Sequence, residues 1–372
     1  MKNYLKPLEH KFKALFFAAF RSLLRKGQED FTPLDGNKIK KVLFLRPEKI
    51  GDMVISLPVF DGLRRHFPHI KISILGSPTN KAIIKDDPRF DRIYIYRKNP
   101  LRVISVLMAM RRGKYDCVVD MIGNDSVTAL FLSQMCAQGR PRIGVGKVKY
   151  RDYYDFNYDH RLGNTGHIIE NTLRLLEAFD IDSTKINCYA EPYIKAESDT
   201  KAADFIESVT GSDNSVFKVG YNLSAGSPTR IWAEEKAIEL LKRILEYDPT
   251  CKIILFSTPA ERKRAEQLRE KVDPRLTLVP DNLNLTEAAA IIRRLDVIIS
   301  PDTSIVHIAR SLKVHVVGLY SRYMKNFLLW RPYGQETGAV VSGCDDNIFD
   351  ITVDQVYDTF VQVVRNHNPV KK

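Results

Sequence analysis

Between Leu295 and Tyr320 the chain reads LDVIISPDTSIVHIARSLKVHVVGLY, an order of patterns that few architectures accept. An apolar run (Val297, Ile298, Ile299) stops at Ser300-Pro301-Asp302-Thr303-Ser304. A helical pattern follows in Ile305, Val306, Ile308, Ala309 and Leu312, and then a second apolar run in Val314, Val316, Val317 and Leu319. Strand, tight polar turn, helix and strand make a βαβ unit, because parallel strands need a crossover of about this length. Pro301 cannot continue a central strand, and Asp302, Thr303 and Ser304 are good helix-capping types. The turn falls at the carboxyl end of its strand, where open α/β sheets bind ligands. Free N–H groups at that helix start suit a phosphate. A plainer role is also satisfied, with Asp302 or Thr303 only capping the helix.

The same alternation runs through the chain twice. In the first set, strands are expected at Val42–Leu45, Ile70–Leu75, Arg92–Tyr96, Tyr115–Asp120 and Arg142–Val145, with helices over 54–67, 103–112 and 167–179. Residues 147–161, rich in Tyr, Asp and Arg without a clear period, read as an exposed loop that could face a substrate. In the second set, strands are expected at 216–223, 252–256 and 276–279, with helices over 233–245, 260–272 and 285–294, and a terminal helix over 352–366. Two alternating sets imply two doubly wound domains facing a cleft. The expected boundaries are an N-terminal segment at 1–38, a first domain at 39–188, a linker at 189–200, a second domain at 201–350, and a C-terminal helix and tail at 351–372.

Composition bounds the partners. Apolar content of 44% with 27% charged residues is that of a globular protein, and 372 residues suffice for two cores. No apolar run reaches the roughly 18 residues of a membrane span. No secretory signal is evident, so a cytoplasmic chain is expected. The five cysteines form no C-x-x-C pair and are expected as buried free thiols. Net charge is +12, and residues 1–26 hold seven basic side chains against one acid. In that segment Leu5, Leu8, Phe12, Leu15, Phe16, Ala19, Phe20, Leu23 and Leu24 recur at three- and four-residue spacing. A basic amphipathic helix of this kind suits an anionic membrane surface, and equally a helix docked on the protein's own core or on a partner. With half the net charge in one amphipathic segment and no recognisable nucleic-acid module, no nucleic-acid partner is expected.

Three loops carry candidate chemistry. Arg46-Pro47-Glu48-Lys49-Ile50-Gly51-Asp52 joins the first strand to its helix. Asp52 there would act as a general base on a hydroxyl within hydrogen-bond reach, or cap the helix. Arg46 and Lys49 would steer an acidic acceptor. Ser224-Ala225-Gly226-Ser227-Pro228-Thr229-Arg230 follows a strand. Its small residues allow close approach of an anion, and Ser224, Thr229 and Arg230 supply donors, Arg230 in a fork suited to a diphosphate. His167, in Asn164-Thr165-Gly166-His167-Ile168-Ile169-Glu170-Asn171, would meet the acceptor or a phosphate, or serve as a cap. Neither a dinucleotide fingerprint nor a P-loop is present, and no metal constellation is evident.

Together, in this order, the motifs resemble those of glycosyltransferase family 9, the lipopolysaccharide heptosyltransferases. The resemblance covers residues about 40 to 345. RPEKIGDMVISLPV resembles the family's amino-terminal motif and LSAGSPTRIWAEE its second. SPDTSIVHIA resembles its D-T-G-x-x-H-x-A motif, and GHIIEN a fourth, weaker element. The resemblance implies a GT-B fold, an ADP-heptose donor held by the second domain, an acceptor held by the first, and inversion without a required metal or cofactor. It implies Asp52 as the base, Asp302, Thr303 and Ser304 as the donor-binding turn, and His307 as the motif histidine. It also implies a lipid-linked oligosaccharide acceptor and a site of action at the inner membrane. Two departures stand out: Arg230 replaces a lysine and Ser304 replaces a glycine. They leave room for a related transferase with another nucleotide sugar or acceptor. A non-catalytic nucleotide-sugar-binding protein on the same fold is the remaining alternative.

Overall fold

The computed structural model describes residues 24–28, 30–159, 166–211, 213 and 215–367. Most of the amphipathic segment expected at 1–26, and the tail beyond 367, lie outside the described residues.

Short β-branched runs flanked by helices can only be satisfied in a sheet covered on both faces. Two such sheets form. The first uses β1 (Lys41–Leu45), β2 (Lys71–Gly76), β3 (Arg92–Ile95), β4 (Cys117–Asp120), β5 (Arg142–Val145) and β6 (Phe156–Tyr158). The second uses β7 (Lys218–Asn222), β8 (Lys252–Phe256), β9 (Thr277–Leu278), β10 (Val297–Pro301), β11 (His315–Tyr320) and β12 (Ala339–Val341). All pairings within them are parallel. The orders are β3-β2-β1-β4-β5-β6 and β12-β11-β10-β7-β8-β9. These are the same doubly wound order, with switch points between β1 and β4 and between β7 and β10. The fold is α/β of GT-B type, two Rossmann-like halves meeting across a seam.

Helices α1 (Ile50–His66), α2 (Lys81–Ile84), α3 (Pro100–Arg111), α4 (Val127–Ala137) and α5 (Ile168–Leu173) serve the first sheet. After α6 (Ala196–Thr210), helices α7 (Glu234–Tyr247), α8 (Arg262–Val272), α9 (Leu285–Ile292), α10 (Ser304–Ser311), α11 (Met324–Trp330) and α12 (Val353–His367) serve the second. Phe44, Phe60 and Phe90 stack edge to face at 5.0 and 4.9 Å, fixing α1 on its sheet. Each such pair is worth about 0.5–1.5 kcal/mol beyond area burial. One apolar cluster continues across the domain boundary, from Val54 and Leu57 on α1 to Val306 and Ile308 on α10. The second domain has its own cluster on the far side of its sheet, and Val356, Phe360 and Val364 of α12 belong to it.

The expected linker takes in the first turn of α6, which packs on α9. It is pinned from both sides: Lys195 pairs with Asp86 at 2.9 Å, and Arg294 with Asp199 at 2.8 Å. The exposed loop expected at 147–161 is, over its described residues 147–159, largely packed into the fold. Lys147, Tyr150, Tyr153, Tyr154 and Asp155 are all buried, and residues 156–158 pair with β5 as the edge strand. Aromatic residues here fill a core under α4 rather than face a substrate. All five cysteines are free; Cys117, Cys136 and Cys251 are buried. Among the described residues no helix is long and apolar enough to cross a membrane.

Candidate active site

At the end of β1 the chain must turn into α1 without wasting the N–H groups at the helix start. Asp52 solves this: its Oδ2 accepts from the Lys49 N–H at 3.1 Å, while its Oδ1 lies 3.5 Å from the Arg46 guanidinium. Capping and a chemically placed carboxylate are therefore one arrangement. Asp52 stays slightly open, its side chain 12% exposed.

Arg46 does not steer an acceptor, as its position in the motif suggested. It is buried, and its fork is spent on the protein. Nε donates to the Asp52 carbonyl at 3.1 Å and to Ser56 Oγ at 3.0 Å, and Nη1 donates to Glu48 and to the Met121 carbonyl. Arg46 is thus a scaffold for Asp52, while Lys49 beside it is exposed. Burial pushes the Glu48 carboxyl up from its ordinary value; Arg46 pulls it down, and Asp52 and Asp120 push it further up.

The opposite side of this switch point was not recognised in the sequence. Asp120, last residue of β4, is buried and pairs with Lys147 Nζ at 2.8 Å. It also accepts from Tyr154 Oη at 2.6 Å. Lys147 donates further to the carbonyls of Ile122 (2.6 Å) and Asn124 (3.1 Å). The available signal was a charged residue ending an apolar strand, which has no structural reason to be there unless a partner waits.

In the second domain the switch point is built from hydroxyls and an amide. Asn222 Nδ2, at the end of β7, donates to Ser300 Oγ at 2.9 Å and to Thr303 Oγ1 at 3.4 Å. Thr303 caps α10, accepting from the Ile305 N–H at 3.3 Å. Asp302 pairs with Arg230, whose Nη1 lies 3.0 Å from the carboxylate and donates to the Asp302 carbonyl at 2.9 Å. The second and third motifs are latched by this pair, and the Arg230 side chain remains one-third exposed. Ser304 is the first residue of α10 and is not among the residues of positive φ, so serine replaces glycine there without strain. Gly226 and Thr229 stand exposed on the loop, and no atom lies within 4 Å of where a Gly226 Cβ would be. The Ser224 hydroxyl is engaged by Glu261 and by the Thr258 N–H at 3.0 Å.

His307 joins the halves. It lies on α10, and a Cβ built on Gly51 would come within 2.9 Å of its ring. Gly51 is required because the imidazole of one domain closes over the backbone of the other. Trp330 packs edge to face on the same ring at 5.6 Å. Burial lowers the His307 pKa below its ordinary 6.5, against the raising effect of Asp302 and Asp52. Asp52 and the turn of residues 301–304 are thereby brought to the same seam.

His167 is elsewhere. It is fully buried, with Nδ1 accepting from the Ile169 N–H at 3.1 Å and Nε2 2.8 Å from the Arg331 carbonyl. Burial holds its pKa well below 6.5. Rather than contacting an acceptor, it caps α5 and ties it to the segment after α11. Next to it Tyr333 donates to Glu170 at 2.7 Å. Arg310 lies 4.0 Å from the Tyr189 ring and donates to the Cys188 carbonyl at 2.5 Å. These contacts lie along the seam between the halves. Among the described residues no three His, Cys, Asp or Glu side chains gather as a metal-holding group.

The model of Glycosyltransferase family 9 (heptosyltransferase) matches residues 103–348. A lipopolysaccharide core heptosyltransferase of Haemophilus influenzae is 23% identical over 326 residues, 85% of this chain and 88% of that one. A family 9 glycosyltransferase of Veillonella parvula superposes with a TM-score of 0.72 at 18% identity, covering 88% of this chain and 97% of its own. An E. coli heptosyltransferase solved with ADP gives 0.67 at 17% identity, covering 89% and 99%. The chain belongs to glycosyltransferase family 9, the heptosyltransferase family, and is a glycosyltransferase.

Proposed function

We propose that this enzyme transfers a heptose from ADP-heptose to a hydroxyl of the lipopolysaccharide inner core, with inversion at the anomeric carbon. The observation that carries the reading is the contact of His307 with Gly51, which sets the donor-side turn of the second domain against the carboxylate of the first. The names of the relatives, heptosyltransferases of lipopolysaccharide and one solved with ADP, support the choice of donor and acceptor.

In a single displacement the acceptor oxygen bonds to the anomeric carbon as the bond to the ADP oxygen breaks. Asp52 takes the acceptor proton; its tie to Arg46 keeps it aimed while it does so. The leaving diphosphate gains charge, which the outer face of Arg230 and the N-terminus of α10 offset. The Asp302 carboxylate competes for Arg230, so donor binding shares or replaces that pair. Lys49 attracts the acidic acceptor. No metal or organic cofactor is required in this scheme. The amphipathic segment at 1–26 holds the enzyme at the cytoplasmic face of the inner membrane, where the lipid-linked acceptor lies.

Asp52→Ala tests the assignment. Turnover is expected to fall on the order of 10²–10⁴-fold, the usual contribution of a general base. ADP affinity by calorimetry should stay within about twofold, because the nucleotide is held across the seam. Surviving turnover would remove Asp52 from the chemistry.

A further inference from the structure

Helix α3 has an outward face that the fold does not explain. Leu101, Ile104 and Met108, spaced three and four apart and so on one face, are 78%, 52% and 48% exposed. They are three of the seven large apolar side chains exposed among the described residues. The opposite face, Leu107 and Met110, packs normally into the cluster beneath α4. An exposed contiguous stripe of large aliphatic residues marks a surface meant to be covered.

Its surroundings say by what. Between residues 92 and 115 there are seven basic side chains and no acid. Arg97, Lys98, Arg102 and Arg112 are exposed around the stripe. This segment and residues 1–26 together carry more than the whole net charge of +12. The described end of residues 1–26 lies on the flank of α3. The chain enters the described structure at Leu24, and the Arg25 carbonyl accepts from Gln134 of α4 at 2.7 Å. Helix α4 is tied in turn to α3, Arg111 donating to the Met135 carbonyl at 2.8 Å. An apolar stripe in a cationic collar matches the boundary between acyl chains and anionic headgroups. The apolar side of residues 5–24 is a poorer occupant, since it would bring a second cationic segment against the first.

We propose that the outer face of α3, Leu101, Ile104 and Met108 within a collar of Arg97, Lys98 and Arg102, docks on the surface of an anionic lipid bilayer. The helix starts at the carboxyl edge of the first sheet, two residues after Lys98. Lys98 lines a cavity of about 310 Å³ with Leu45, Leu75, Tyr96, Ile122 and Leu132. Docking by α3 therefore turns that edge, and Asp52 with it, toward the membrane. The inference rests on the proposed lipid-linked acceptor only for its purpose; the lipid contact itself is read from α3.

Sedimentation of the full-length protein with phosphatidylcholine vesicles, with and without about 30% phosphatidylglycerol, tests it. In the variant Leu101→Ser/Ile104→Ser/Met108→Ser, partition onto anionic vesicles is expected to fall about tenfold or more, with an unchanged melting temperature because the side chains are exposed. Arg97→Gln/Lys98→Gln/Arg102→Gln should weaken the preference for anionic over neutral vesicles, the rest of it being carried by residues 1–26. Wild-type partition by the serine variant overturns the proposal. A shift from dimer to monomer in that variant, with lipid binding unchanged, would overturn it in favour of a second copy. So would duplex DNA binding that the glutamine variant loses while vesicle binding persists in both. Transfer to a water-soluble acceptor fragment is expected to be unaffected by the serine substitutions. Failure of the lipid contact would thus leave the transferase reading standing.

Discussion

The two switch points share one topology and differ in what they gather. Between β1 and β4 sit Arg46, Glu48, Asp52, Asp120 and Lys147, five ionisable side chains in a wall of buried apolar strands. Between β7 and β10 sit Asn222, Ser300 and Thr303, with one partly exposed pair, Arg230–Asp302. The same fold therefore supplies two kinds of site. A buried charge network is rigid, because each member is held by its partners and breaking one strands another. Neutral hydroxyls and helix N–H groups cost little to leave in water and suit an anion that comes and goes. On the proposed reading, the first half holds one carboxylate still and the second accepts and releases a diphosphate.

The sharpest way to break this contrast is to remove a buried charge. Lys147→Met strands Asp120, which should cost about 3–5 kcal/mol of stability, read as a fall of the first-domain unfolding midpoint on the order of 10 °C. A loss under 1 kcal/mol would mean the network is not rigid. The equivalent change in the second half, Asn222→Leu, should cost less, about 1–3 kcal/mol.

The seam between the halves has its own signature in pH. Burial keeps His167 and His307 below the ordinary 6.5, so folded imidazoles stay neutral while unfolded ones take up protons beneath that value. The unfolded state then binds more protons, so the contribution is complete above about 6.5 and declines as pH falls. The loss is up to about 2.7 kcal/mol per pH unit for the pair. The raised Glu48 acts oppositely: its contribution is complete below 4.5 and lost as pH rises through its folded value. Thermal melts that do not shift between pH 7.5 and 5.5 would contradict the histidine assignment.

Gly51→Ala probes how closely the halves meet. Its Cβ would lie 2.9 Å from the His307 ring, already packed by Trp330. A cost of about 1–3 kcal/mol is expected, with a fall in turnover as His307 shifts. A neutral result would mean the seam opens freely at this point.

Much of this was legible in the chain because periodicity and punctuation agreed. Arg142–Val145 and Lys252–Phe256 are strands with the bounds their apolar runs suggest. Thr303, after Pro301, does begin a helix. What escaped had specific causes. Residues 147–161 looked like a polar loop because tyrosines, a lysine and an aspartate carry no apolar period, yet Asp155 and Lys147 are buried by pairing with Arg142 and Asp120. Helix α4 and the short strands β6 and β12 were missed, the strands too brief to show alternation. At the seam, Asp52 and Arg230 were singled out because loops after strands invite ligands. Arg46 and His167 were given to ligands since a side chain's partners 75 or 164 residues away leave no trace in spacing.

The division of labour between the halves is tested most directly by calorimetric titration of ADP into Arg230→Gln and Asp52→Ala. Removing the exposed cation should weaken ADP about tenfold, roughly 1.4 kcal/mol, while removing the carboxylate leaves the affinity within about twofold. If Asp52→Ala loses ADP and Arg230→Gln keeps it, the nucleotide sits on the other half and the account is wrong.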